Sequence, residues 1–125
     1  MAILITGAAG FIGFSLARNA ASKGKTVYLV DNFARGQRDK DFEHLCSLPQ
    51  CVMLDGDLLD KEFCQKLPFE KVSTVYHFAA INGTQNFYDK PYEVIKANFT
   101  TLTNVLEAIP NNCCLKFLYS SSSEA

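Results

Sequence analysis

The chain lacks long apolar runs, a strong charge of either sign and paired-cysteine motifs. No hydrophobic stretch approaches the roughly 20 residues that a membrane-spanning helix needs. The first residues carry no basic segment, so we expect neither a signal peptide nor a membrane partner. A formal net charge of −1 gives no reason to expect a nucleic-acid partner. A chain of 125 residues is expected to form one domain at most.

Cysteines are present in an odd number, five, and none of them belongs to a C-x-x-C pair. We therefore expect structural or buried thiols in a reducing compartment, the cytoplasm, rather than a disulfide framework. The two histidines, His44 and His77, do not complete a zinc-ligand spacing, so we predict no metal site.

The most informative segment comes first in the chain. An apolar run, Ile3–Thr6, leads directly into the sequence GAAGFIG, and the residues after it have helical character. Gly7 suits a tight turn with positive φ, Gly10 admits a phosphate where a Cβ would stand, and Gly13 lets the helix pack closely. The first-turn N–H groups of that helix would then face the pyrophosphate of a dinucleotide. No lysine follows the glycines, which argues against a P-loop.

A second apolar run, Thr26–Val30, ends in Asp31, 18 positions after Gly13. The acid that binds the adenosine ribose of a dinucleotide stands about 20 residues from the glycines. Its carboxylate would accept hydrogen bonds from both ribose hydroxyls and repel a 2′-phosphate, which favours NAD. Arg35 and Arg38 lie nearby and keep NADP as the alternative, and Asp31 is also an ordinary turn residue.

Strands and helices alternate along the chain, which predicts a Rossmann-type, doubly wound α/β fold with a parallel sheet. We predict strands at residues 2–6, 26–30, 51–54, 73–78 and 114–119. Helices are predicted at residues 11–23, 39–47, 59–66 and 91–108, and a loop at 81–89. Gly24 is expected to cap the first helix.

Helical spacing predicts which faces of the first and last helices are buried. We expect the first helix to bury Ile12, Leu16 and Ala20. The apolar face of the last helix is predicted to comprise Ile95, Leu102, Val105, Leu106 and Ile109. Asn98 falls on that face, where a bond to strand backbone and a contact with a ligand are equally open.

Small and polar residues follow every predicted strand at its carboxyl end, where open parallel sheets bind ligands. They are Gly7, Asp31, Asp57, the pair Ala79–Ala80, and the serines at 120–123. One nucleotide site at this edge of the sheet explains their placement.

These motifs, in this order, resemble the N-terminal part of the extended short-chain dehydrogenases/reductases, especially the nucleotide-sugar epimerases and dehydratases. The resemblance extends over all 125 residues. It is carried by Thr6-Gly7-x-x-Gly10-x-x-Gly13, Asp31-Asn32, Gly56-Asp57-Leu58, His77-Phe78-Ala79-Ala80, Asn98 and Ser120–Ala125. It implies NAD as the cofactor, a nucleotide sugar as the substrate, and a homodimer for the full-length protein.

The resemblance also assigns roles to individual residues. Asp57 and Leu58 would line the adenine pocket, and Ala79 and Ala80 would let the backbone approach the nicotinamide ribose. The implied cofactor contacts are Gly7, Gly10, Phe11, Ile12, Gly13, Asp31, Asn32, Asp57, Leu58, Phe78, Ala79, Ala80 and Asn98.

Ser122 is the catalytic residue that the resemblance implies, with Ser121 or Ser123 as alternatives. Its hydroxyl would bond the reacting oxygen of the sugar while hydride passes between a sugar carbon and NAD. The general base of the family, the tyrosine of a Tyr-x-x-x-Lys motif, would stand beyond Ala125. Tyr92 and Lys96 have the same spacing but precede the serine, so we interpret them as surface helix.

We therefore expect an NAD-binding domain over residues 1–125, with the substrate-binding part absent and the chain inactive by itself. The fifth strand would be an apolar sheet edge, so we predict either a fragment or an edge covered by a partner. Two other classes of protein stay open: a non-catalytic NAD-binding module and another extended short-chain reductase, of the sterol or flavonoid type.

Overall fold

The computed structural model describes residues 2–32, 39–79 and 88–120. The strands are β1 (Ala2–Thr6), β2 (Val27–Asp31), β3 (Cys51–Asp55), β4 (Val72–His77) and β5 (Lys116–Tyr119). The helices are α1 (Phe11–Ser22), α2 (Lys40–Cys46), α3 (Lys61–Gln65) and α4 (Pro91–Ala108), and a 3₁₀ turn spans Phe69–Lys71. The predicted alternation is confirmed, with boundaries that shift by two residues at most. Of the predicted loop at 81–89, only residues 88 and 89 are described, and both are helical.

The strands form one sheet in the order β3-β2-β1-β4-β5, and every neighbouring pair is parallel. The chain builds outward from β1 to β3 and then returns to place β4 on the other side of β1. The strand order therefore reverses between β1 and β4, and such switch points are where α/β sheets bind ligands. The predicted doubly wound, Rossmann-type sheet is confirmed, with β5 at one edge.

A hydrophobic core covers each face of the sheet. On one face Ile5 and Leu29 pack with residues of α1 and α2, and Phe42 is the largest of them. On the other face Leu4 and Val75 lie in a cluster that includes residues of α3 and α4. Because helices cover both faces, β1 is buried along its whole length, as parallel strands usually are.

The buried faces of two helices differ from the prediction. α1 buries Gly13, Ala17, Ala20 and Ala21, whereas Ile12 is 63% exposed. α4 buries Val94, Asn104 and Val105, whereas Ile95 and Leu106 are exposed. The periodicity argument assigned large apolar residues to the core, but small residues let α1 pack closely and turn its larger side chains outward. The predicted cap of α1 is confirmed, since Gly24 has φ +80° and its N–H donates to the Ala21 carbonyl.

Within the described ranges, the structure contains no helix with both the length and the apolar character to cross a membrane.

Candidate functional site

The glycine loop, residues 7–10, is held against the end of β2. The N–H groups of Gly7 and Ala8 donate to the Val30 carbonyl at 2.9 and 3.2 Å. The Ala9 N–H donates to Oδ2 of Asp31 at 2.8 Å. Asp31 thus connects the loop to β2, a structural role that was not predicted from the sequence. Its carboxylate lies at the carboxyl end of the strand, where the ribose role was predicted.

The three glycines of the loop and of α1 serve different purposes. Gly7 has φ +72°, and a Cβ there would lie 2.8 Å from backbone atoms of Phe78 and Ala79. A Cβ on Gly13 would collide with the carbonyl oxygen of Gly7. Both positions therefore require glycine for reasons within the fold, whether or not a ligand is bound.

Gly10 is different, because a Cβ there would make one tight contact instead of colliding with several backbone atoms. A Cβ on Gly10 would approach only the Gly7 carbonyl oxygen, at 3.3 Å, among the described residues. Its φ of −76° is ordinary for any amino acid. The space beside Gly10 is therefore a cradle that a Cβ would fill, next to the first turn of α1.

The first turn of α1 offers hydrogen-bond donors at this cradle. Gly10 is the N-cap, and the turn has neither a side-chain cap nor an acidic residue. In residues 2–32, 39–79 and 88–120, the N–H groups of Phe11, Ile12 and Gly13 have no acceptor. Unpaired N–H groups and the positive end of the helix dipole favour a bound anion. The side chains of Phe11 and Ile12 are 89% and 63% exposed beside them.

The ends of β1 and β4 are joined by a buried polar pair, Thr6 and His77. Oγ1 of Thr6 and Nδ1 of His77 are 2.8 Å apart, and the two residues are 0% and 1% exposed. The same Oγ1 accepts the N–H groups of Phe78 and Ala79, both at 3.1 Å. Burial lowers the pKa of His77 to about 4, so the imidazole is neutral at pH 7. The sequence signal for this pair was weak: two polar side chains that end apolar strands.

The turn after β3 contains two further predicted contacts. Asp57 is exposed, and its Oδ1 accepts the N–H of Leu59 at 2.9 Å. Leu58 is buried in the core cluster beneath α4, and its carbonyl accepts Nδ2 of Asn104 at 2.9 Å. The predicted roles of Asp57 and Leu58 at the adenine stay predictions.

On α4, the asparagine that bonds backbone from a buried position is Asn104, which was not predicted. Asn98 is half-buried on the same helix, and its two predicted roles, a bond to strand backbone and a contact with a ligand, stay predictions. Tyr92 and Lys96 are both exposed there, with Nζ 6.0 Å from the ring centre, which confirms the prediction of surface helix spacing.

The remaining predicted positions fall into two groups. Asn32 is exposed directly after β2, and Phe78 and Ala79 are half-buried after β4. Ala80, Arg35, Arg38, Ser121, Ser122 and Ser123 lie outside the described residues. In the part of the chain that the structure describes, histidine, cysteine and acidic side chains form no group of three that would hold a metal ion.

Comparisons with known proteins identify the family to which the chain is similar. A family model described as "NAD dependent epimerase/dehydratase family" matches residues 3–125. A UDP-N-acetyl-alpha-D-glucosaminuronate decarboxylase of Bacillus cytotoxicus is 35% identical over 97% of this chain and 36% of its own length. A UDP-glucose 4-epimerase of Erwinia amylovora is 31% identical over 98% of this chain and 37% of its own length. The chain thus spans little more than a third of these relatives.

Solved structures show the same fold. The UDP-glucose 4-epimerase of Bifidobacterium longum, in complex with NAD+ and UDP, superposes with a TM-score of 0.86 at 25% identity. The superposition covers 98% of this chain and 37% of that one. The resemblance predicted from the motifs is therefore confirmed by a family model and by structure.

Proposed function

Because the chain belongs to the NAD-dependent epimerase/dehydratase family, we propose that residues 1–125 are the NAD-binding portion of an enzyme that acts on a nucleotide sugar. The observation that carries the proposal is the cradle at Gly10. Three N–H groups that have no acceptor among the described residues follow Gly10 in the chain. The space beside Gly10 is open because glycine has no Cβ. A pyrophosphate is the anion that this arrangement suits in a sheet of this topology.

Different residues around the cradle would bind different parts of NAD. The N–H groups of Phe11, Ile12 and Gly13 would hold the pyrophosphate. Asp31 would bind the adenosine ribose with the carboxylate that already orients Ala9. Asp57 and Leu58 would border the adenine, while Phe78 and Ala79, with Ala80, would border the nicotinamide ribose. Bound NAD would supply the hydride acceptor, and these residues would bind and orient it.

The substrate and the chemistry belong to the same proposal. The relatives are named for UDP-sugars, so a UDP-sugar is the proposed substrate of the parent enzyme. Ser122 would bond the reacting oxygen of the sugar. The substrate-binding part is expected outside residues 1–125. All five cysteines lie among the described residues and none forms a disulfide bond, which supports the proposal of a reducing, cytoplasmic setting.

The choice of NAD is tested by titrating the chain with NAD and with NADP, for the wild type and for Asp31→Asn. The amide oxygen of asparagine can still accept the Ala9 N–H, so the loop is expected to keep its conformation. The lost charge should weaken NAD binding by about tenfold, since hydrogen bonds to charged groups are the stronger ones. The substitution should also reduce the preference of the chain for NAD over NADP.

Asp55→Asn is the matched control, because Asp55 is the register partner of Asp31 on β3 and is exposed. It removes the same charge one strand away and should leave both affinities unchanged. Tighter binding of NADP by the wild type would contradict the choice of cofactor. Failure of the wild type to bind either dinucleotide would contradict the proposed function.

A second copy of the chain is the proposed partner, and α4 is the proposed contact. Four large hydrophobic side chains on this helix are exposed at spacings of three, four and seven residues: Tyr92, Ile95, Phe99 and Leu106. With the half-buried Leu102 they follow the alternating three-and-four pattern by which helices pair side by side. A patch of this kind is typical of protein interfaces, and one helix can meet its own copy about a two-fold axis.

Sedimentation of the wild type and of Phe99→Glu tests the pairing. We expect a concentration-dependent dimer for the wild type and a monomer for the variant, because a charge would be buried at the centre of the stripe. Val52→Glu is the control, since Val52 is an exposed apolar residue on β3, at the opposite edge of the sheet from β5. Equal dissociation of both variants, or a wild-type monomer at all concentrations, would contradict pairing through α4.

A further inference from the structure

We infer that His77 is a positioning residue: as a neutral imidazole protonated at Nε2, it orients the Thr6 hydroxyl, which in turn holds the Phe78–Ala79 backbone against the glycine loop. The inference rests on the proposed NAD site, and it assigns to His77 an action through Thr6 rather than a contact with the cofactor.

The tautomer follows from counting donors around the Thr6 hydroxyl. A hydroxyl group has one hydrogen to donate and two lone pairs that accept. The N–H groups of Phe78 and Ala79, both 3.1 Å from Oγ1, can only donate, so they occupy both lone pairs. The hydroxyl hydrogen is then directed to Nδ1 of His77 at 2.8 Å. Because Nδ1 accepts, the proton of the neutral ring lies on Nε2.

The surroundings of the ring fit a neutral imidazole. The rings of Phe117 and Tyr119 stack on it with centroids 6.0 and 5.9 Å away. Nε2 is buried and has no hydrogen-bond partner among the described residues. An imidazolium would place a second charged donor in the same apolar environment. It would also direct an N–H from Nδ1 at an oxygen whose lone pairs are already filled.

The position of the Phe78–Ala79 backbone matters because it lies against the start of the glycine loop. A Cβ on Gly7 would stand 2.8 Å from the Phe78 carbonyl carbon and from the Ala79 nitrogen, so no space separates the two segments. The single Phe78 N–H is shared between Thr6 Oγ1 and the Thr6 carbonyl oxygen, 3.1 Å from each, which ties Phe78 to β1. A shift of Phe78–Ala79 would therefore move Gly7, and with it the amides that border the cradle.

Substitutions can distinguish the roles of the two ring nitrogens of His77. His77→Asn keeps an acceptor close to the position of Nδ1, His77→Gln places its amide near Nε2, and His77→Phe keeps only the ring. Thr6→Ser and Thr6→Val make the same distinction for the hydroxyl. Ser73→Ala is the control, since Ser73 Oγ bonds the Ala2 carbonyl between the same two strands at their other end.

NAD affinity is the first measurement, made on variants whose folding is verified by circular dichroism. We expect His77→Phe, His77→Gln and Thr6→Val to bind NAD about tenfold more weakly, the equivalent of one hydrogen bond. His77→Asn and Thr6→Ser should restore most of that loss, and Ser73→Ala should bind like the wild type. A structural role alone would change stability in all of them without this rescue.

The second measurement is independent of NAD and of any variant. Long-range proton–nitrogen NMR spectra of the wild type at pH 7 should show His77 protonated at Nε2 only. Protonation at Nδ1 would overturn the inference, as would His77→Asn and His77→Phe having equal affinities. If the wild type does not bind NAD, the proposed function fails, while the spectra still decide the tautomer.

Discussion

Two β-α-β units of the sheet, Ala2–Asp31 and Val72–Tyr119, share a topology and differ in how deeply their strands and helices are buried. β1 is buried at every position, whereas β5 has one half-buried residue and three exposed ones. α1 buries four small residues against the sheet. α4 buries two valines and an asparagine, and exposes an apolar stripe.

The difference corresponds to two proposed roles, pyrophosphate binding in the first unit and pairing with a second copy in the second unit. In the first unit, the exposed large apolar side chains are Phe11 and Ile12, and both lie beside the cradle. In the second unit, exposed apolar groups lie along α4 and at the end of β5, where Leu118 and Tyr119 are located. The backbone of the first unit therefore supplies the proposed pyrophosphate site, while the second unit adds Phe78 and Ala79 to the proposed cofactor site and presents an apolar surface that suits another protein surface.

The largest loss of stability is expected for Gly7→Ala, because Gly7 lies where the two units are in contact. The substitution combines the strain of a positive φ with a collision against Phe78 and Ala79. Strain and overpacking together should lower the free energy of unfolding by about 3 kcal/mol. Urea denaturation measures this loss.

Gly10→Ala is the matched control for Gly7→Ala, three residues along the same loop. Its Cβ would press on the Gly7 carbonyl oxygen alone, at 3.3 Å, so the loss of stability should be about 1 kcal/mol, clearly smaller than for Gly7→Ala. NAD binding should nevertheless fall at least about tenfold, because the Cβ fills the cradle. Equal stability losses for the two variants would show that Gly10 is also a packing glycine.

The next effect is a pH dependence that originates in the second unit. Burial lowers the pKa of His77 from its ordinary 6.5 to about 4, so the unfolded chain binds a proton in this range that the folded chain does not. The stabilisation is therefore complete above pH 6.5, declines as the pH falls toward 4, and amounts to about 3 kcal/mol. Among the described residues, Tyr119 is the titratable side chain stacked on the ring.

Urea denaturation from pH 7 to pH 4 measures this dependence, with His77→Asn as the test and His44→Gln as the control. His44 is the other histidine of the chain and is exposed, so its replacement controls for the loss of an imidazole as such. Removing His77 should flatten the curve between pH 6.5 and 4. A wild-type slope that His77→Asn does not alter would place the titration in other groups.

The comparison also shows what the sequence could predict. Alternating apolar segments were sufficient for the sheet, because parallel strands covered by helices are specified by burial alone. The roles of Gly7 and Gly13 also followed from the sequence, since a turn off a strand and a close helix contact are local events. The helix α4 was predicted at residues 91–108, which are the bounds that the structure gives it.

The contacts that were missed are all non-local. Thr6 and His77 are 71 positions apart, and Asn104 reaches the Leu58 carbonyl across 46. No periodicity predicts which polar group will meet another after the sheet has formed. The same limit applies to Asp31, whose bond to Ala9 depends on how β2 lies beside the loop.

A smaller effect, about 2 kcal/mol, is expected for Asn104→Ala, which breaks the link between α4 and the turn after β3. The loss corresponds to one buried hydrogen bond and to a Leu58 carbonyl left with the weak Cys64 thiol as its donor. Urea denaturation is the measurement. Asn111→Ala, in the exposed turn before β5, is the control and should cost much less. If both variants were equally stable, Asn104 would not anchor the second unit.

The smallest perturbation is a chemical one that leaves the fold intact. Cys114 is exposed just before β5, whereas Cys64 is buried beneath α4. Burial, with lesser contributions from Asp60 and Asp57, raises the pKa of Cys64 to about 11. Because the thiolate is the reactive form, a thiol reagent at pH 8 should label Cys114 rapidly and Cys64 only after unfolding. Cys114→Ser should remove the fast phase, and rapid labelling of Cys64 in the native chain would show that the core beneath α4 opens more readily than its packing indicates.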